Sequence, residues 1–269
     1  MLARGNSYQG VALSRLNQIY QTLGGGRALK YSDAMSYGAD QILTGKGNSD
    51  YERYIRTVDL LKLQPEPDSW KHRDELLFTI VHQSSELWLK LAVAECDEIV
   101  IKLKSGDILA ALRLMPRIPL CITNATIALD MLEQMSPWDY QQVRRALGHG
   151  SGFDSPGFNA IRRAIPKLGV EFFRILNEAK LTLLQMYVNH EKHDEIYRLA
   201  ESLVEIDERL ITWRARHFKV VERSIGLHVS GTQGTPVEVI GKLRDKTFFP
   251  ELWDVRTEIT NYALSEENK

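Results

Sequence analysis

Cysteine is scarce in this chain: two residues, Cys96 and Cys121, among 269. Neither stands in a CxxC pair or at a metal-ligand spacing, so a disulfide framework or a cysteine zinc site is excluded. Both fall in apolar helical patterns, which predicts buried reduced thiols and a cytoplasmic, reducing compartment. A charge excess is missing as well. Lys and Arg number 34 against 35 Asp and Glu, for a formal net charge of −1. The arginines alternate with acids along helices, so there is no basic face for nucleic acid or an anionic membrane. No run approaches the ~18 apolar residues of a membrane span, and MLARGNSYQGVALSRLNQIY at the start lacks the apolar centre of a secretory leader. Alternating strand patterns are almost absent. So are P-loop, GxGxxG, GxSxG and HExxH patterns.

What remains is helical periodicity over most of the length. Residues 11–23 (VALSRLNQIYQTL) have helix spacing and end at the glycines 24–26. A polar connector over roughly 38–73 predicts an extended loop with helical turns. A long helix over 74–104 stops at Ser105-Gly106. Asp107 is the N-cap of a second, running to about 135 with an interruption near Met115-Pro116 and Pro119. Ser136-Pro137 opens a helix over 137–147, and LGHGSGFDSPGF fills a turn-rich loop, 147–158. Helical spacing resumes over 159–190, 194–225 and 237–262. The reading is an all-α protein, a single domain over 1–269 built as a bundle of long antiparallel helices.

Several side chains interrupt these apolar patterns. In DELLFTIVHQSSELWLK, 74–90, His82 lies four residues from both Phe78 and Glu86. An aromatic ring, an imidazole and a carboxylate then share one stripe. His217 shares a helix face with Leu210, Trp213, Val220 and Val221, while Arg214, Arg216, Lys219 and Arg223 line the other sides. A neutral imidazole on an apolar face suits a heme iron, and the arginines suit its propionates. The bland alternative is a satisfied core histidine. Tyr140 and Arg144, four apart, could form a carboxylate clamp, or be a boundary phenol beside a surface guanidinium. Ser151 and Gly152 lie in a glycine loop that permits close approach of a flat ligand. Thr232 offers a hydroxyl from the glycine-rich GTQGT. His190, Glu191, His193 and Asp194 have metal-ligand composition but no closed-site spacing. A solvated turn is the simpler reading there.

Taken together, KYSDAM, RDELLFTIVHQSSELWLKL, SPWDYQQVRRALGHGSGFDS, WRARHFKVVERSIG, SGTQGT and FFPELWDVRTEI resemble the tryptophan 2,3-dioxygenase family. The resemblance runs from about residue 30 to 258. It implies a helical subunit with heme b in a pocket of the bundle, acting on L-tryptophan and O2, in a homotetramer. It implies His217 as the axial iron ligand and His82 as the distal histidine near the indole N–H. Arg144 and Tyr140 match holders of the substrate carboxylate, and Thr232 a hydroxyl near its ammonium. Phe78 and Leu147 match apolar walls, and Ser151 and Gly152 a loop over the heme edge. Tyr31, in an N-terminal arm of about residues 1–36, matches an aromatic that reaches a neighbouring subunit's pocket. Departures are visible. The family's GTGGSSG loop reads GTQGTPV, placing Gln233 and Pro236 where small residues are usual. Ala34 and Met35 replace a Tyr and a Leu, and the segment between Phe158 and Asp194 is short.

The expected reaction is dioxygenation of the indole C2–C3 bond to N-formylkynurenine. A rival with the same site inserts one oxygen atom, giving a hydroxylated or 2-oxindole product from tryptophan or a substituted tryptophan. A non-catalytic heme sensor would need His217 and not Arg144. A non-heme metal protein would use His82, Glu86 and the 190–194 cluster.

Overall fold

The computed structural model describes residues 42–267. The predicted helix at 11–23, and with it Tyr31, Ala34 and Met35, lie outside the described residues. Among these, every regular element is helical, with a lone bridge between Ser230 and Pro236. The all-α expectation holds.

Two compact units divide the chain after Leu63. The described part of the first holds α1 (Asp50–Ile55) and α2 (Thr57–Leu60). A Ser49–Glu52 capping box starts α1. Arg56, in the left-handed region at φ 60°, ends it and turns the chain into α2. These helical turns answer to the predicted connector.

The second unit is built on α3 (Glu75–Lys104). On it Leu89, Ala92, Cys96, Ile99 and Leu103 are fully buried, a stripe at three- and four-residue spacing that must be covered. Two long helices do this, α5 (Arg117–Leu132) and α7 (Pro156–Glu178), and a third, α9 (Asp194–Ile225), packs on both of them. The shorter α4 (Ile108–Leu114) lies between α3 and α5 in sequence, and α6 (Pro137–Ala146) between α5 and α7. Both cysteines are free and buried in this core, as expected.

The boundaries follow local chemistry. Asp107 caps α4, its side chain accepting from the Ala110 amide. The chain breaks at Met115-Pro116 but not at Pro119, which sits in the first turn of α5, where an amide N–H has no intrahelical partner to lose. By composition, Ile108–Leu132 is long and apolar enough to cross a membrane, contrary to the expectation from sequence, but half of that window is buried in the protein.

Two predicted helices prove to be broken. The stretch 159–190 is interrupted after Glu178. Lys180 turns the chain at φ 56°, and a Thr182–Gln185 capping box starts α8 (Leu183–Val188). The stretch 237–262 is split into α10 (Val237–Lys242) and α11 (Pro250–Glu267). There Asp207 of α9 reaches across. Its buried carboxylate accepts the Phe248 amide at 2.7 Å, the Phe249 amide at 3.0 Å and the Trp253 indole N–H at 3.2 Å. Phe249 is thereby held against Gly169, where an added Cβ would lie 2.8 Å from its ring. The FFPELW run is thus a structural anchor. Asp207→Ala leaves those three donors without their acceptor and is expected to cost about 2–4 kcal/mol in urea unfolding. A loss below about 0.5 kcal/mol would contradict the anchoring role.

Candidate active site

The site is assembled from α3, α6, α9 and two loops. On α3, Phe78 and His82 stack, ring centroids 4.0 Å apart. His82 Nδ1 lies 2.7 Å from the Phe78 carbonyl oxygen. A carbonyl only accepts, so Nδ1 carries the proton and Nε2 of the neutral ring presents a lone pair. Surrounding protein lowers the pKa of His82 by desolvation, against smaller opposing effects of the Phe78 hydrogen bond and Glu86. Its ring nevertheless keeps solvent-accessible surface. A side chain that is desolvated yet accessible lines a recess.

His217 is the second imidazole, on α9. Its pKa is lowered to about 4, first by burial and then by an unfavourable electrostatic influence of His82. Among the described residues no hydrogen bond reaches either nitrogen of His217. One face of the ring stacks on Trp213 at 4.9 Å and 10°, and Trp213 stacks in turn on Phe158 of α7 at 3.9 Å. The aromatic pile fixes the ring and, among the described residues, leaves its nitrogens without a hydrogen-bond partner.

Tyr140 on α6 lies 6.3 Å from Phe78, centroid to centroid. Burial raises the pKa of its phenol, partly offset by Arg144, so it stays a neutral donor at pH 7. Among the described residues Arg144 makes a single hydrogen bond, from Nη2 to the Ser230 carbonyl oxygen at 3.2 Å. The rest of its guanidinium is available to an anion. Thr232 Oγ1 donates to the Gly150 carbonyl oxygen at 2.6 Å. Its proton is thereby engaged, and toward a further group it can only accept. Leu147 ends α6 with an exposed side chain. Ser151 caps the 3-10 turn Gly152–Asp154, and a Cβ at Gly152 would meet nothing within 4 Å, so open space lies beside its backbone.

Some expectations need correction. Glu86 shares the stripe with His82 and acts on it electrostatically, but among the described residues its carboxylate makes no hydrogen bond to the imidazole. Its carboxylate instead accepts from Ser155 Oγ at 2.5 Å and the Gly157 amide at 2.8 Å, pinning the start of α7 to α3. Gly157 is required there, since a Cβ would stand 2.5 Å from the same carboxylate. Most cations of α9 are also engaged: Arg216 pairs with Asp130 and Glu133, Arg223 with Glu133, and Lys219 with Glu222. Arg214 has no carboxylate within ion-pair distance among the described residues. It donates to the Lys246 carbonyl oxygen and lies over the Phe248 ring. The 190–194 cluster is a 3-10 turn, with His190 Nδ1 at 3.2 Å from the Tyr187 carbonyl oxygen. Among the described residues the metal-type groups that converge are His72, Asp74 and Asp139, outside the non-heme set. His72 accepts from the Asp74 amide on Nδ1 and faces Asp139 with Nε2 at 3.5 Å, which ties the start of α3 to that of α6.

Sequence reasoning missed Phe158, Ser155 and Gly157, and marked Gln233 only as a departure in the loop. The Trp213–His217 spacing was a signal for the aromatic pile, whereas nothing local marks Phe158.

The profile described as "Tryptophan 2,3-dioxygenase" matches residues 35–182 and 172–259. Proteins called tryptophan 2,3-dioxygenase from Shewanella woodyi and Bacillus thuringiensis are 30% and 29% identical to this chain. The alignments cover 82% and 80% of it, and 94% of each relative. One from Rhodococcus jostii is 31% identical over 78% of this chain and 91% of its own length. The first alignment runs over 271 positions yet uses 82% of 269 residues, leaving about fifty positions that the relative fills and this chain does not. The two profile matches meet at 172–182, where Lys180 makes its tight turn. With the profile covering most of its length, this chain belongs to the tryptophan 2,3-dioxygenase family of enzymes.

Proposed function

We propose that this chain is a heme-dependent oxygenase that adds both atoms of O2 across the indole C2–C3 bond of L-tryptophan, giving N-formylkynurenine. The observation that carries this reading is a pair of desolvated imidazoles, the first of which acts electrostatically on the second. Among the described residues His217 has no hydrogen-bond partner for its nitrogens, and His82 has its free nitrogen fixed as an acceptor. These features fit a heme. His217 would hold the iron, Ser151 and Gly152 would border the porphyrin where open space lies beside the Gly152 backbone, and Arg214, which has no carboxylate within ion-pair distance among the described residues, would be available to a propionate. When bound, the heme supplies the iron centre that activates O2.

The protein's own part is to bind, orient and exclude water. Arg144 offers its fork to the substrate carboxylate and Tyr140 donates its phenolic proton to the same group. Thr232 Oγ1 accepts from the ammonium. His82 Nε2 accepts the indole N–H, which sets the ring's rotation. Phe78 and Leu147 wall the indole. Holding the amino acid at both ends turns a bimolecular encounter into a positioned one. The rival of single-atom insertion is motivated by Gln233 and Pro236 in the loop and by Ala34 and Met35. Product mass after reaction with labelled O2 separates the two: ring-opened product with both labelled atoms is expected, and a product with one would overturn dioxygenation.

A homotetramer, with Tyr31 of the arm reaching a neighbour's pocket, belongs to the same proposal. Two exposed apolar stripes at helical spacing support it: Ile80, Leu87 and Leu91 on α3, and Leu120, Ile127 and Met131 on α5. Sedimentation of the full chain as a monomer would remove that part.

A further inference from the structure

Loop 230–236 is closed on itself. The Gly231 amide donates to the Thr235 carbonyl oxygen at 2.9 Å, and the Gly234 amide to that of Gly231 at 3.0 Å, with Gly234 at φ 77°. Side chains fasten this small hairpin to the turn at 149–154. Thr232 reaches the Gly150 carbonyl oxygen. One residue on, Gln233 Nε2 donates to Asp154 Oδ2 at 2.6 Å and to the His149 carbonyl oxygen at 3.2 Å. Asp154 is itself held, because the same Oδ2 accepts the Ser151 amide at 3.1 Å. On the loop's other side Ser230 accepts from Arg144. Of these fasteners, only the Gln233 amide reaches a carboxylate. It also stands where the family's loop has a small residue, which would have no side-chain donor to give.

We infer that Gln233 is a positioning residue whose amide latches loop 230–236 onto the 149–154 turn before substrate arrives. Thr232 and Arg144 are then prearranged in the resting protein. The latch stands on these contacts alone, while its kinetic consequence rests on the proposed oxygenase reading. A loop ordered only by its ligand lowers apparent affinity by the fraction of time it is competent. A loop ordered in advance removes that penalty. A hydrogen bond to a carboxylate on an exposed loop can bias such an equilibrium by about tenfold.

The test uses heme-loaded wild type, Gln233→Gly and Gln233→Glu. Hydrogen–deuterium exchange over 230–236 is followed with and without saturating L-tryptophan, beside kcat and KM. In Gln233→Gly the substrate-free loop is expected to exchange about tenfold faster and KM to rise about five- to tenfold, with kcat within about twofold. Tryptophan should restore protection. Gln233→Glu keeps the length but loses the N–H donors and sets a second carboxylate against Asp154. Its loop should exchange at least as fast as the glycine variant's. Wild-type protection in either variant, or an unchanged KM in Gln233→Gly, would overturn the inference. If wild type does not turn over tryptophan, the oxygenase reading fails, while the substrate-free exchange still decides the latch.

Discussion

Replacing His217 with alanine is expected to remove heme from the purified protein, with loss of the Soret band and at least about a thousandfold loss of tryptophan oxidation. Arg144 and Tyr140 are donors and offer no such bond, and the lone pair on His82 Nε2 is assigned in the proposed reading to the indole N–H. A second readout needs no heme. His217 is neutral in the fold, its pKa pushed to about 4 chiefly by burial, with a further contribution from His82, against about 6.5 in an unfolded chain. Between those values the unfolded chain binds the extra proton, so the apoprotein loses stability as pH falls from about 6.5 toward about 4. His217→Ala removes that proton uptake and should flatten this part of the stability–pH curve. A Soret band retained in the variant would break the proposed assignment. Equal acid sensitivity in the two apoproteins would mean that the imidazole is not desolvated in the fold.

The helices and the paired side chains of the candidate site could be read from the chain because both depend on local spacing. Phe78 with His82, Tyr140 with Arg144, and Trp213 with His217 are each four residues apart, so one turn of helix brings each pair together. The failures came where the deciding contact is remote. Glu86 looked like a partner for His82, but its carboxylate is taken by Ser155 and Gly157, about seventy residues on. Asp207 reads as one more helix-surface acid until Phe248 and Phe249 arrive from the far side of a loop. The helix break at Lys180 has neither glycine nor proline to announce it, although the Thr182–Gln185 box just beyond was a legible start signal. Gln233 stood out as a departure in the loop. Its partners, His149 and Asp154, could be known only from the fold.

The Arg144 guanidinium separates an oxygenase of an amino acid from a heme protein that merely senses. Arg144→Ala is expected to lower kcat/KM for L-tryptophan by roughly a hundredfold to a thousandfold, about 3–4 kcal/mol. The heme spectrum should be unchanged, since His217 lies on a different helix. Arg144→Lys keeps the charge without the planar fork and should fall between wild type and alanine. Because Arg144 also donates to the Ser230 carbonyl oxygen, part of the alanine effect could come from the loop rather than from the carboxylate. Tryptamine, which keeps the indole and amine but lacks the carboxylate, resolves the two. If the fork binds the carboxylate, wild type and Arg144→Ala should treat tryptamine alike, and the loss for tryptophan measures that contact. If the loop is what matters, both substrates should suffer equally. A sensor without turnover predicts a third pattern, in which Arg144→Ala leaves the spectral response to tryptophan at wild-type concentrations and no product forms with either protein.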